Sequence, residues 1–210
     1  MKYRKKSLWN LKTMGIIATV ALLCLLVVVN VTPREADSTS TTSIQSLAPT
    51  FPQTVQRYSK EIIQVSSEFD FDPNLIASMV TVESCGNCYV ISNAGARGLI
   101  QPMPDKFGQG DNWTDPVTNL QRGLAYLAQA RNRYPKQIDL WLAYYNGGPG
   151  AVNPNRRSQQ TWDYIRYVGG IYQCAKEGKS GDDCAILQEW MIKGGSRLCE
   201  CAKNNCKTLR

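Results

Sequence analysis

The stretch DPNLIASMVTVESCG, residues 72–86, decides how the rest of this chain is read. An Asp-Pro pair opens helices well, because the carboxylate accepts a first-turn amide and the fixed φ of proline suits the first helical position. Leu75, Ile76, Met79 and Val80 then fall on one helical face, and Gly86 offers a stop. Glu83 lies on that same side, so the pattern predicts a mostly buried helix with a carboxyl in its last turn. Burial beside Met79, Val80 and Val82 raises a carboxyl pKa and lets it hold a proton at neutral pH. An isolated glutamate at a helix end more often caps or pairs, so the surrounding sequence must choose between these roles.

Helical spacing recurs on both sides. Val55, Tyr58, Ile62, Ile63 and Val65 predict a helix over 52–68; Leu120, Leu124, Leu127 and Ala128 predict another over 116–134, and a further one covers 138–145. No strand-like alternation of useful length and no internal repeat occurs, so the class is mainly α with long Gly- and Pro-rich loops. Toward the N-terminus, residues 1–13 form a basic flank and 14–31 a nearly unbroken apolar run, near the ~18 residues needed to span a bilayer. The run is long, and Glu35-Ala36-Asp37 is a poor cleavage site, so it reads as a transmembrane signal anchor rather than a cleaved signal peptide. Cys24 lacks a small residue ahead of it and reads as a membrane-buried cysteine rather than a lipidation site. Residues 32–52, rich in Ser, Thr and Pro, read as a flexible tether.

The formal charge of +7 is uneven. Residues 1–31 carry five cations and no anions, whereas 32–173 balance twelve against twelve. A neutral central domain gives no electrostatic footing for nucleic acid, and none is expected as a partner. Histidine is absent, which removes Ser-His and Cys-His nucleophiles and histidine metal sites. Acid-base chemistry is left to carboxylates, Lys, Tyr or Cys.

Downstream of Glu83-Ser84 stand Ser92, Gly95, Ala96, Gly98, Leu99, Ile100, Gln101, Met103 and Pro104. Then follow Asp115-Pro116 with Asn119, Gly123 and Tyr126-Leu127, Tyr144-Tyr145-Asn146-Gly147-Gly148-Pro149-Gly150, and Tyr164 with Val168. Over residues 54 to 173 this resembles the catalytic domain of the soluble lytic transglycosylase (SLT) family. Ile100 replaces the family's Met, and Cys85 and Cys88 stand where Gly and Pro are usual. The resemblance implies a lysozyme-like, goose-type helical catalytic domain over 53–173, followed by a Cys-rich C-terminal extension over 174–210.

The resemblance further implies cleavage of the β-1,4 bond between N-acetylmuramic acid and N-acetylglucosamine in peptidoglycan, leaving a 1,6-anhydro sugar. Glu83 would be the sole acid and base, with the substrate acetamido group replacing the second carboxylate that most glycosidases use. Ser84, Ser92, Gln101, Met103, Tyr145, Asn146 and Tyr164 would bind substrate or position Glu83. Asp70, Asp72, Asp105, Asp111 and Asp115 are candidate partner carboxylates better explained as caps and turns. Trp113, Trp141 and Trp162 are candidates for sugar stacking, though such residues are more often core. Glycan strands and, through the N-terminal helix, a membrane are the expected partners, with an envelope-spanning assembly as a further option. No cofactor and no metal are expected. A hydrolytic muramidase of the same fold and a non-catalytic peptidoglycan-binding assembly protein are the alternatives.

Cys85, Cys88, Cys174, Cys184, Cys199, Cys201 and Cys206 lie beyond the apolar run. In an exported segment disulfides are the default, and an odd number leaves a thiol over. A Cys85–Cys88 bridge stiffening the loop beside Glu83 is the preferred reading, and pairing to the tail the second. Zinc ligation by the tail thiolates and a redox role for the CxxC are weaker, because paired CxxC units and a βαβ context are missing. The expected location is extracytoplasmic and membrane-anchored, or secreted if the N-terminal segment is removed. The extension reads as a cap on the fold or a docking module.

Overall fold

The computed structural model describes residues 46–207. The basic flank at 1–13, the anchor at 14–31 and most of the tether at 32–52 lie outside those residues. The fold is mainly α, and among the described residues the only strand-like pairing is an isolated antiparallel bridge between Ile91 and Arg97.

The helix expected over 52–68 is split into α1 (Gln53–Gln56) and α2 (Ser59–Glu68). Ser59 Oγ donates to the Gln56 carbonyl, and this local bond competes with continuing the helical ladder. α3 (Pro73–Ser84) begins as its sequence predicts, with Asp72 accepting from the Asn74 amide at 2.8 Å. Leu75, Ile76, Met79 and Val80 are at most 2% exposed, which makes α3 the central helix of the core. α4 (Pro116–Arg133), α5 (Ile138–Gly147) and α6 (Gln159–Lys176) follow. α6 packs on α3 and α5, α5 on α4, and α2 on both α3 and α4.

α3 ends at Cys85, in the left-handed region at φ 48°, followed by Gly86 at φ 82°. Glycine is required at 86 for a second reason: a Cβ there would stand 2.0 Å from the Thr54 carbonyl oxygen.

The last residues of the expected tether are packed rather than free. Leu47, Thr50 and Phe51 are buried, the Ala48 amide donates to Asn74 Oδ1 at 3.0 Å, and Thr50 Oγ1 donates to the Lys179 carbonyl at 2.6 Å. Two large apolar side chains anchor a segment whose average composition reads as linker.

Past residue 173 the chain does not change character: α6 runs on to Lys176, and α7 (Ala185–Trp190) and α8 (Ser196–Lys203) follow. A wide turn over Met191–Gly195, bent at Gly194, joins α7 to α8. The extension is therefore part of the described domain. Disulfides join Cys174 to Cys184, Cys201 to Cys206, and Cys85 to Cys199 across 114 residues. The expected Cys85–Cys88 bridge is not formed. Cys88 is a buried free thiol against the Tyr58 phenol, while Cys85 turns to α8 with a Cα separation of 4.9 Å from Cys199. Arg57 reinforces the link, donating to the carbonyls of Gly86 at 2.7 Å and Ala202 at 3.3 Å. Asn87, fully buried, donates to the Cys206 carbonyl at 2.8 Å.

Two stability outcomes follow from this joint. Replacing both Cys85 and Cys199 by Ala removes a long-loop cross-link and lowers Tm by roughly 5–15 °C, at about 2–4 kcal/mol of lost stability. Gly86→Ala costs more than about 2 kcal/mol through φ strain and the clash with Thr54, read as a lower urea midpoint at unchanged m-value.

Candidate active site

Glu83 lies in the last turn of α3, where the buried helix reaches a cavity of about 510 Å³. The cavity is also lined by Asn146 from α5, by Asp163 and Tyr164 from α6, and by Trp190 and Lys193 from the extension. Glu83 keeps a partly exposed edge on the cavity, so its carboxyl is enclosed by protein yet reachable. Burial raises its pKa to about 8, and the Tyr164 hydroxyl acts in the opposite direction. The group therefore carries a proton at neutral pH.

Two phenols surround it. Burial and the Glu83 charge hold both Tyr145 and Tyr164 well above the ordinary tyrosine range, so both remain donors. The buried Tyr164 hydroxyl lies close enough to Glu83 for each to shift the other. It nevertheless has no partner at full hydrogen-bonding geometry among the described residues.

The segment from 92 to 104 is strapped to the helix end rather than opened to the cavity. Ser84 Oγ donates to the Leu99 carbonyl at 2.7 Å, and Tyr145 OH donates to the Ile100 carbonyl at 2.7 Å. Asn119, fully buried in the first turn of α4, accepts from the Ile100 amide at 3.0 Å and donates to the Arg97 and Trp113 carbonyls at 2.8 and 3.0 Å. Gln101 Nε2 folds back onto the Gly98 carbonyl at 2.8 Å, while Ser92 Oγ accepts from the Ala96 amide at 3.0 Å. The Arg97, Leu99 and Ile100 carbonyls and the Ile100 amide are thus held by side chains remote from them in sequence, Ser84, Asn119 and Tyr145.

Of the residues singled out from sequence, Glu83, Asn146 and Tyr164 meet in one cavity. Asn146 Oδ1 accepts from Thr161 Oγ1 at 3.0 Å, which fixes its amide. Ser84, Ser92, Gln101, Met103 and Tyr145 do not line that cavity. Ser84 is fully buried as a brace, Tyr145 holds Ile100, and Met103 is 42% exposed.

The candidate partner carboxylates are engaged elsewhere. Asp72 and Asp115 cap α3 and α4, Asp111 pairs with Arg122 at 2.6 Å, Asp105 with Lys106 at 2.6 Å, and Asp70 lies 3.9 Å from Arg131. Trp113 and Trp162 stack with Arg97 and Arg157, and Trp141 packs on Phe71. None of the three lines the cavity. Asp163, Trp190 and Lys193 do, and sequence reading missed them. Asp163 precedes the flagged Tyr164, but nothing local signals its direction, and Trp190 and Lys193 lie beyond the recognisable motifs. Among the described residues no group of three or more His, Cys, Asp or Glu stands together to hold a metal ion.

Residues 60–168 match the family model described as the transglycosylase SLT domain. A transglycosylase of Enterobacteria phage PRD1 is 38% identical over 90 residues, covering 42% of this chain and 34% of the phage protein. The membrane-bound lytic murein transglycosylase C of Salmonella typhimurium is 32% identical over 116 residues, covering 46% of this chain and 32% of that protein. The chain thus spans about a third of the length of these relatives. The solved lytic transglycosylase Slt of Pseudomonas aeruginosa aligns at a TM-score of 0.49 and 20% identity, covering 58% of this chain and 25% of that one.

A carboxyl whose folded pKa exceeds its unfolded value destabilises the fold increasingly as pH rises between the two, here from 4.5 to about 8. Glu83→Gln therefore raises Tm by roughly 3–10 °C at pH 8 and by little at pH 4.5. Differential scanning calorimetry of the two proteins across that range checks it; a pH-independent difference contradicts the buried neutral carboxyl.

Proposed function

The chain belongs to the transglycosylase SLT domain family, and on that basis we propose that it is a peptidoglycan lytic transglycosylase with a lysozyme-like catalytic domain. It cleaves the β-1,4 bond between N-acetylmuramic acid and N-acetylglucosamine and closes a 1,6-anhydro ring on the muramyl product. The observation that carries this reading is Glu83 itself, an enclosed carboxyl at the end of a buried helix that is neutral at pH 7.

Each step needs a group in that position. Glu83 gives its proton to the bridging oxygen as the C1–O bond breaks, and positive charge develops at C1. The acetamido oxygen of the muramyl unit attacks C1 and holds the charge within the substrate. The Glu83 carboxylate then removes the proton of the 6-hydroxyl as that oxygen displaces the acetamido group, which restores the acid. Tyr164, buried with an unsatisfied hydroxyl, and Asn146, fixed by Thr161, are the groups proposed to orient sugar against Glu83. Ser84, Asn119 and Tyr145 act as positioning residues, because they hold the 97–101 backbone against the helix end. Ser92, Gln101 and Met103 stay as proposed substrate contacts along the same loop.

Asp163 favours a second reading. It lines the Glu83 cavity, and a carboxylate there is suited to activating water, as in a hydrolytic muramidase. The products separate the two: anhydro ends for the transglycosylase, reducing ends for the hydrolase.

The apolar run at 14–31 behind a basic flank supports a membrane anchor with the domain on the extracytoplasmic side. The three disulfides fit an oxidising compartment. Participation in an envelope assembly is compatible with that placement.

Digestion of purified peptidoglycan followed by mass spectrometry of soluble fragments tests the reaction. Anhydro-muropeptides are expected, with a loss of at least about 100-fold in Glu83→Gln. Their rate falls as pH rises through about 8, where the acid is lost. A reducing-end product set abolished by Asp163→Asn establishes the hydrolytic reading instead.

A further inference from the structure

A second cavity, of about 460 Å³, adjoins the one at Glu83. The two share Val82, Trp190 and Lys193, so they form one continuous groove that starts at the helix end and runs along the extension. Its far part is lined by Gly194, Gly195, Arg197 and Leu198, all beyond residues 60–168 matched by the family model. We propose that the C-terminal extension supplies a saccharide subsite, which takes an uncharged sugar unit of the glycan strand further along from the bond held at Glu83. The inference rests on a glycan being the substrate at Glu83.

The charged side chains along this groove are already engaged inside the protein. Lys193 pairs with Glu189 at 3.1 Å, and Glu189 also pairs with Arg166 and accepts from the Tyr167 hydroxyl at 3.3 Å. Asp163 accepts from Gln159 Nε2 at 3.0 Å, and Arg197 likewise has a partner of its own. An ionic ligand would have to compete with these partners, whereas a neutral one leaves them in place. What the wall still offers is apolar surface from Val82, Trp190 and Leu198 next to the Lys193 ammonium, which has three donors and is 63% exposed. A pyranose ring matches that mixture, because its C–H faces are apolar and its edges carry hydroxyl and acetamido groups.

The wall is built rather than incidental. Trp190 is 7% exposed, and the Gly195 backbone rests on its ring so closely that a Cβ there would stand 2.3 Å from Cε3. The Cys85–Cys199 bridge ties α8, which carries Leu198, to the chain two residues after Glu83. A surface fixed in this way loses little freedom when a ligand settles on it. Continuity selects the occupant: a polymer cut at Glu83 has to leave that cavity on both sides of the bond, and this groove is an exit that needs no rearrangement.

The test uses the oxidised full chain carrying Glu83→Gln, so that it reads binding without turnover. Isothermal titration with N-acetylglucosamine oligomers of two to six units supplies the hydroxyl and acetamido groups of the glycan without any peptide. Affinity is expected to rise by about tenfold or more from the dimer to the hexamer. Adding Leu198→Asp, which puts a carboxylate into the far groove only, removes that rise and leaves dimer binding within about twofold. Leu198→Ala gives a smaller loss in the same direction, and it serves as the test if the aspartate variant does not fold. Affinity that does not rise with length, a rise that survives both substitutions, or a loss equal at every length overturns the subsite. If the chain with Glu83 intact forms no anhydro product from peptidoglycan while the length contrast persists, the transglycosylase reading falls and the subsite stands.

Discussion

The end of α3 is the joint on which this domain depends. Four successive residues point in four directions: Glu83 into the cavity, Ser84 to the Leu99 carbonyl, Cys85 to Cys199, and Gly86 beneath the Thr54 carbonyl. Glu83 and Ser84 diverge because successive residues of a helix face different sides, and the left-handed turn at Cys85 and Gly86 then carries the chain off the helix. The loop that follows, α1 through Thr54, and the C-terminal extension all meet at this point.

Burying a carboxyl here opposes folding, and the surroundings absorb that cost. α3 is enclosed by α2 and α6, with Leu75, Ile76, Met79 and Val80 almost fully removed from water, so the helix end cannot shift to resolvate Glu83 without opening the core. The disulfide to α8 and the Arg57 bonds to Gly86 and Ala202 tie down the backbone that leaves the helix end. An acid poised near neutrality is thereby a property of the packing around it rather than of a charged neighbour, since burial is the larger cause of its shift.

The helices were legible where apolar spacing and caps coincide. Asp72-Pro73 and Asp115-Pro116 start α3 and α4, and both aspartates cap as expected. The predicted helix over 52–68 is broken because Ser59 bonds to Gln56, a local competition that periodicity does not register. Leu47 and Phe51 were lost in a Ser/Thr-rich average, although each buries a large side chain. Glu83, Asn146 and Tyr164 were recognisable through motif spacing, and they share a cavity. Ser84 was read as a cleft residue, yet its hydroxyl is spent on Leu99, because a residue next to the acid on a buried helix faces the interior.

The chain order of residues 72–86 was enough to specify a capped, buried helix carrying a carboxyl in its last turn, since capping, periodicity and the stop are all short-range. The same order left the cysteines ambiguous. Cys88 is three residues from Cys85 and Cys199 is 114, and the partner is Cys199 because folding of the extension brings α8 to the end of α3. Nor did it reveal that Trp190, Lys193 and Arg197 continue the groove from Glu83. Contacts across such separations depend on where whole helices dock, and docking is governed by the shape of a core to which every element contributes.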